Sequence, residues 1–303
     1  MLASVKMLLA AVVDYAGLFP PAGLNLQAAL KNYACDRSAT QGWMLNSFVL
    51  PSSRLQEFAT LFSAQLSTQP AVAGQPRLWH ISIILSPKEV KDLKGAIANA
   101  QAVVGNLFAI RGVELPPLSA TEIEQTLAHL PVDIETYFEL KIDDNLLACL
   151  EVLQGTRAAA KIRTGGMTPA AFPSVAEVGR FIVVCAKAGV PFKATAGLHH
   201  PLPGQHHITD APDSAFVAMQ GFLNVAIAAA LVHQKTLGEA AAIAILQETS
   251  DHAFQFTKDG LSWHDNHLTL AEIAASRRYF FKSFGSCSFQ DPIHDLKHLQ
   301  LLS

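Results

Sequence analysis

Two alternating signals constrain this 303-residue sequence more than anything else in it. A Ser or Thr followed three residues later by Glu or Gln marks a helix start. Each of the two side chains satisfies an amide that the first turn leaves without a partner. The pattern occurs at Ser53/Gln56, Ser86/Glu89, Ser119/Glu122, Ser174/Glu177, Thr236/Glu239 and Thr269/Glu272. Apolar residues at helical spacing follow, such as Leu55, Phe58, Ala59, Phe62 and Leu66, or Val175, Val178, Ile182 and Cys185. Between the helices lie apolar runs of strand length at 44–50, 79–85, 108–115, 134–141, 158–164 and 191–195, with 8–13 expected as the first strand. Their nearly continuous apolar character suits parallel strands covered on both faces. Strand and helix alternating every roughly 20–35 residues predict a parallel sheet with right-handed crossovers. No Gly-rich dinucleotide fingerprint follows the first strand. The expected α/β fold is therefore a (β/α)8 TIM-type barrel rather than an open doubly wound sheet.

The last unit is irregular. Phe254-Gln255-Phe256 and Leu261-Ser262-Trp263 flank Lys258-Asp259-Gly260, which reads as a hairpin turn. Either 254–256 closes the barrel, or the hairpin is an insertion and 221–225 is the last strand. No Pro/Gly/Ser-rich linker, charge run or repeat divides the chain, so residues 1–303 are expected to form one barrel domain. The longest irregular stretch, 196–212, is of a length that usually serves as a lid or binding loop.

Composition removes several classes. Half of the residues are hydrophobic and 16% are charged, with a mean hydropathy of +0.26, so disorder is excluded and a large core is affordable. The net charge of −3 gives no electrostatic footprint for nucleic acid. Cys35, Cys149, Cys185 and Cys287 share no metal-ligand or CxxC spacing and read as reduced thiols. The run Met7–Val13 after Lys6 resembles a signal-peptide core, yet it is short and enters Asp14-Tyr15 without a small-x-small site. The Ala-rich stretch 225–232 reads as a packed helix, and no run approaches the ~18 apolar residues of a membrane span. The expectation is a soluble cytoplasmic protein with a small-molecule substrate and no membrane partner. Its thin charge points to a homo-oligomer interface.

Catalytic residues of such barrels sit at strand C-terminal ends. Ala158-Ala159-Ala160-Lys161-Ile162-Arg163-Thr164-Gly165-Gly166 places Lys161 and Arg163 on one face by period-two alternation. In Pro191-Phe192-Lys193-Ala194-Thr195-Ala196-Gly197-Leu198-His199-His200, Lys193 and Thr195 share a face. If both faces meet at the barrel mouth, three cations converge. A lysine desolvated beside like charge has its pKa lowered, which supplies the neutral amine that Schiff-base formation requires. The plainer alternative is that the lysines reach solvent or pair with Glu139 or Glu114. An Arg–Lys cluster can also bind a carboxylate or phosphate without reacting.

Lys161-x-x-Thr164-Gly165 on one strand, with Phe192-Lys193-x-x-x-Gly197 on the next, resembles deoxyribose-phosphate aldolase. The resemblance implies a (β/α)8 barrel in which the first lysine forms the Schiff base and the second tunes its pKa. The family's Gly-Gly turn is Gly197-Leu198 here, and its catalytic aspartate has no match in the sequence. The wider set of motifs is similar to a family of uncharacterised bacterial proteins and implies no function. These motifs are Asp14-Tyr15-Ala16-Gly17-Leu18-Phe19-Pro20-Pro21, Lys161–Gly166, Gly197-Leu198-His199-His200-Pro201 and Ser283-Phe284-Gly285-Ser286-Cys287-Ser288-Phe289.

The leading reading is a lysine-dependent enzyme acting on a small carbonyl or anionic substrate, most like a class I aldolase or lyase and needing no cofactor. Lys161 would form the imine and Lys193 would depress its pKa. Arg163 would hold a carboxylate or phosphate, and Thr164, Gly165, Gly166, Thr195, Gly197 and His200 would line the substrate site. His199, Asp14 or Glu139 would move protons; Asp14-Tyr15, at the end of the first apolar run, would either do so from the barrel mouth or merely cap a turn. Gly165-Gly166 and Gly285 would offer amides to an anion or punctuate loops. Cys287 lacks a recognisable His and Asn arrangement. Two alternatives stand beside this reading. One is a metal-dependent hydrolase or isomerase using His199, His200 and a carboxylate such as Asp210, with His206-His207 in the same loop. The other is a non-catalytic barrel that binds an anionic metabolite.

Overall fold

Eight parallel strands close on themselves in the computed structural model, which describes residues 1–68, 78–105, 108–209, 211 and 213–302. In chain order the strands are β1 (Val13–Tyr15), β2 (Leu45–Pro51), β3 (Trp79–Ile84), β4 (Phe108–Leu115), β5 (Glu135–Leu140), β6 (Ala159–Arg163), β7 (Phe192–Thr195), β8 (Gly204–His207), β9 (Phe216–Met219), β10 (Phe254–Phe256), β11 (Gly260–Trp263), β12 (Asn266–Thr269) and β13 (Phe281–Ser286). The barrel runs from β1 through β7 in sequence, and β13 closes it by pairing with both β7 and β1. This is the expected (β/α)8 class. Six of the strands expected from apolar runs form within one residue of their expected limits.

Four of the six capping boxes form completely, at Ser86, Ser119, Ser174 and Thr269. In each, the hydroxyl accepts from the third helical amide while the glutamate accepts from the cap amide. Ser53 instead lies in a single 3-10 turn, Ser52–Arg54, ahead of the helix Leu55–Thr68. Thr236 ends the helix Phe222–Lys235 in the left-handed region at φ +54°, and the helix Glu239–Gln247 starts from Gly238. The expected helical spacing is observed for most of its residues; Val175 is half-buried and the side chain of Leu66 lies outside the described residues. Leu55, Phe58, Ala59 and Phe62 are buried in the first of these helices, and Val178, Ile182 and Cys185 in Val175–Ala188. The Ala-rich stretch is the helix Phe222–Lys235, buried over Phe222–Val232.

Both ends of the barrel differ from expectation. The apolar run at 8–13 is not a strand. Ala3–Leu9 is a helix, Ala11 turns the chain at φ +46°, and the strand is Val13–Tyr15. An unbroken apolar run has no period, so helix and strand look alike in it. Neither 254–256 nor 221–225 closes the barrel. Lys258-Asp259-Gly260 does form the hairpin turn, but β10, β11 and β12 make a separate antiparallel sheet. Phe281–Ser286 is the eighth strand. Its Lys282, Ser283 and Ser286 hide it from an apolar-run search; Ser283 serves the polar barrel interior, Lys282 pairs with Glu135 and Ser286 donates to the carbonyl of Ser288.

Ser82 and Glu114 on β3 and β4 are buried, as are Lys161, Lys193 and Ser283 on β6, β7 and β13, and Asp14 on β1. Barrel interiors are ordinarily filled by branched apolar residues. Here one zone of the interior carries charges.

Candidate active site

Register explains how the charges meet. Glu139 on β5 is level with Lys161 on β6, and Lys161 is level with Lys193 on β7. Alternation turns all three inward and sends Ile162 to the apolar core. Lys161 Nζ lies 2.8 Å from Glu139 Oε2 and 3.1 Å from Glu114 Oε2. Lys193 Nζ lies 2.8 Å from Glu114 Oε1 and donates also to Asp14 Oδ2. Three carboxylates and two ammoniums thus alternate from Glu139 through Lys161, Glu114 and Lys193 to Asp14. Serines and an amide complete the shell. Ser82 donates to Glu114 Oε1 (2.8 Å), Ser283 to Asp14 Oδ2 (2.6 Å) and Asn46 to Asp14 Oδ1 (2.7 Å). The ring of Tyr137 lies 5.0 Å from Lys193 Nζ, a favourable place for an ammonium.

Electrostatics follow from this chain. Burial alone would raise the pKa of Glu114, but Lys193 and Lys161 outweigh it and hold the carboxyl far below the usual range. Burial alone would strip Lys193 of its proton, but Asp14 and Glu114 outweigh that and push its pKa above the ordinary lysine value. Lys193 is therefore a firmly charged ammonium. The expected crowding of bare cations does not occur, because carboxylates stand between them. The pairing with Glu114 and Glu139 takes place inside the barrel, not at its surface.

A cavity of about 240 Å³ opens at the C-terminal ends of the strands, and Lys161, Arg163 and Lys193 all line it. At ~30 Å³ per water it has room for roughly eight waters, the size of a compound of a few carbons. Glu114 lies in its floor, and Phe19, Pro20 and Pro21 wall one side. Ile208 and Met219, flanking the β8–β9 hairpin, pack with Phe172 on the other side. Ala196, Gly197, His199 and Ile208 of the stretch 196–212 line the cavity, while Gly204–His207 within it form β8 rather than an irregular loop; Asp210 and Pro212 lie outside the described residues.

The remaining expected residues divide. Thr195, Gly166, Gly197 and His199 line the cavity. Arg163 stands at the rim, its side chain 54% exposed and its Nε 3.5 Å from Glu139. Thr164 is corrected from a substrate ligand to a brace, since its buried hydroxyl donates to the carbonyl of Ala196. Gly165 does not line the cavity either. A Cβ there would meet the Gly197 backbone at 2.7 Å, so it serves the close approach of two loops. His200 turns away, bonded through Nδ1 to Asp295 at 2.7 Å and stacked on His206. Asp14 does not reach the mouth but lies beneath Lys193. Tyr15 faces the other way, packed on Tyr33 and Phe48, and burial pushes its phenol up to about 12. Asp14 and Tyr15 thus form no proton-transfer pair, because successive strand residues point to opposite faces.

Sequence reasoning passed over Glu114 as a functional residue and rated Cys287 low. The signal for Glu114 was a lone acid near the end of a strand whose other charged residue is Arg111. Cys287 Sγ lines the cavity 3.9 Å from His199 Nδ1. Burial lowers the pKa of His199 and so favours the neutral ring. No group of three His, Cys, Asp or Glu side chains close enough to hold a metal ion occurs among the described residues.

Fold and site together define a (β/α)8 barrel with a lysine–carboxylate chain beneath a small C-terminal cavity. No protein-family model, curated protein or solved structure matches the chain.

Proposed function

We propose that the protein is a lysine-dependent, aldolase-like lyase that forms a Schiff base with a small carbonyl compound at Lys161. The observation that carries this reading is the position of Lys161 Nζ, buried in the cavity wall between Glu114 and Glu139. The chemistry is closed in charge. An ammonium plus a carbonyl gives an iminium plus water, with no proton gained or lost. Lys161 passes one proton to Glu139, 2.8 Å away, the neutral amine attacks the carbonyl carbon, a second amine proton moves to the former carbonyl oxygen, and the hydroxyl leaves as water on taking the proton held by Glu139. The iminium then occupies the place of the ammonium, facing the same two carboxylates. Those charges need no reorganisation as the positive centre forms, which is the most effective form of electrostatic catalysis.

The iminium next accepts the electron pair of an adjacent C–C bond as that bond breaks. The base for the departing hydroxyl proton is His199, whose neutral ring lines the cavity. Arg163 at the rim suits a carboxylate or phosphate on the substrate's far end, since a planar guanidinium binds either in a fork. Glu139 takes the acid–base place that the motif resemblance left empty in the sequence, and Glu114 supplies a fixed negative charge facing the iminium. No disulfide joins the four cysteines, which suits a cytoplasmic enzyme. Incubation with a panel of small aldehydes and keto acids, followed by borohydride reduction and intact-mass measurement, tests the reading. A stable gain of substrate mass is expected, and no gain with any member of the panel would overturn it.

A further inference from the structure

A second cavity, of about 600 Å³, opens on the opposite face of the barrel, where the strands begin. Leu45, His80, Glu135 and Lys282 on its wall are the first or second residues of β2, β3, β5 and β13. The volume lies within the ~300–1,000 Å³ typical of small-molecule sites. Of the residues lining both cavities, only Lys193 is shared, so this is a separate site.

Its chemistry is cationic on a chain whose net charge is −3. Arg111, Arg277, Arg278 and Lys282 face Asp133 and Glu135 around the opening. Glu135 is already engaged, by Lys282 at 3.1 Å and by the Tyr137 hydroxyl. Among the described residues no carboxylate lies within ion-pair distance of Arg111, Arg277 or Arg278, and the Arg111 guanidinium reaches only His80 at 3.5 Å. Arg277 is fixed in place by the carbonyls of Phe281, Ala10 and Ala11, yet its buried Nε has no hydrogen-bond partner. A buried donor left unmet is costly, and this guanidinium, clamped in the cavity wall, adds fixed positive charge beside Arg111 and Arg278.

We propose that this N-terminal-face cavity binds a small metabolite through a phosphate or carboxylate group held by Arg111, Arg277 and Arg278. Guanidinium groups suit that role because they present paired donors to planar or tetrahedral oxyanions and stay charged. The proposal does not depend on the chemistry of Lys161.

His80 reports on the site. Burial, Arg111 and Arg37 all push its pKa down. A bound anion offsets the two guanidiniums, so the imidazole should titrate higher. The experiment follows the His80 ring by NMR, assigned through His80→Asn, during titration of the whole protein with inorganic phosphate, succinate and chloride. Saturable binding of phosphate or succinate should raise the His80 pKa by about half a unit or more. Phosphate alone acting assigns a phosphorylated ligand, and succinate alone a carboxylated one. Calorimetry on Arg111→Gln/Arg278→Gln, which spares the Arg277 backbone clamp, should show binding weakened by about tenfold or more. Three results would overturn the proposal: no saturable response to either anion, an equal response to chloride, or unchanged affinity in the double variant.

Discussion

Glu114 receives Lys161 on one oxygen and Lys193 and Ser82 on the other, so both ammoniums of the interior depend on it. Glu114→Gln keeps the shape and removes the charge. Lys193 retains Asp14 and Lys161 retains Glu139, so each ammonium keeps one carboxylate and loses one. Losing charge-assisted bonds of this kind should cost about 1.5–3 kcal/mol, read in urea unfolding. Glu139→Gln should cost less, because Glu139 is partly open to solvent and shares its charge with the exposed Arg163. Equal losses in the two variants would mean that Glu114 holds no special place in the chain. That the lysines could pair with Glu114 or Glu139 was legible in the sequence and is what the structure shows; that Glu114 joins both lysines was not. Lys161 and Lys193 stood out because charges are rare in buried strands. The side chain that joins them lies on β4, 47 residues before Lys161, and only barrel closure brings it there.

At the scale of elements, local chemistry predicts best where it is complete within four residues. Ser174 and Glu177 satisfy each other's amides across one helical turn, and the helix follows. Ser174→Ala should cost about 1 kcal/mol, seen as a fall of roughly 2–4 °C in melting temperature. Thr236 carries the same motif with Glu239 but sits left-handed at a helix end. A β-branched residue is strained there, so Thr236→Gly should be neutral or stabilising by up to about 1 kcal/mol. If Thr236→Gly destabilised as much as Ser174→Ala, the helix would start at Thr236 after all. The strand β13 failed for the opposite reason. Its inward-facing Ser283 serves Asp14, a partner 269 residues away, so nothing near it in sequence explains a polar residue in a core strand. The Leu8–Val13 run failed because apolar character without a period cannot choose between helix and strand.

Across the whole molecule, the charged interior sets how stability depends on pH. Glu114 has its folded pKa depressed, so its contribution is fully present above the unfolded value of about 4.3 and is lost as pH falls from there toward the folded value. Lys193 has its folded pKa raised, so its contribution is fully present below the unfolded value of about 10.4 and is lost as pH rises beyond it. Stability should therefore be nearly flat with respect to these two groups between about pH 5 and 9, and fall on both sides. Unfolding free energies measured across that range check this, and a slope through neutrality that Lys193→Met abolishes would contradict it. Such a plateau suits a site whose charges must be in place before substrate arrives. An apolar interior of equal volume would be as stable or more so. Stability alone does not account for the charges, and the proposed function would use them.

That chemistry assigns different tasks to two lysines that stand side by side. Under the proposed function Lys161 would bond to the substrate, whereas Lys193, its pKa raised by Asp14 and Glu114, would keep its proton. The direct measurement is peptide mass mapping after borohydride reduction, performed on the wild type, Lys161→Arg and Glu114→Gln with the same aldehyde or keto acid. The account predicts one adduct, on the peptide carrying Lys161. Lys161→Arg should abolish it at every pH, since a guanidinium forms no imine under these conditions, and Glu114→Gln should slow it by about 10²-fold or more, the scale of a lost preorganised electrostatic contact. An adduct on Lys193, or adducts scattered over surface lysines and unchanged in Lys161→Arg, would contradict it.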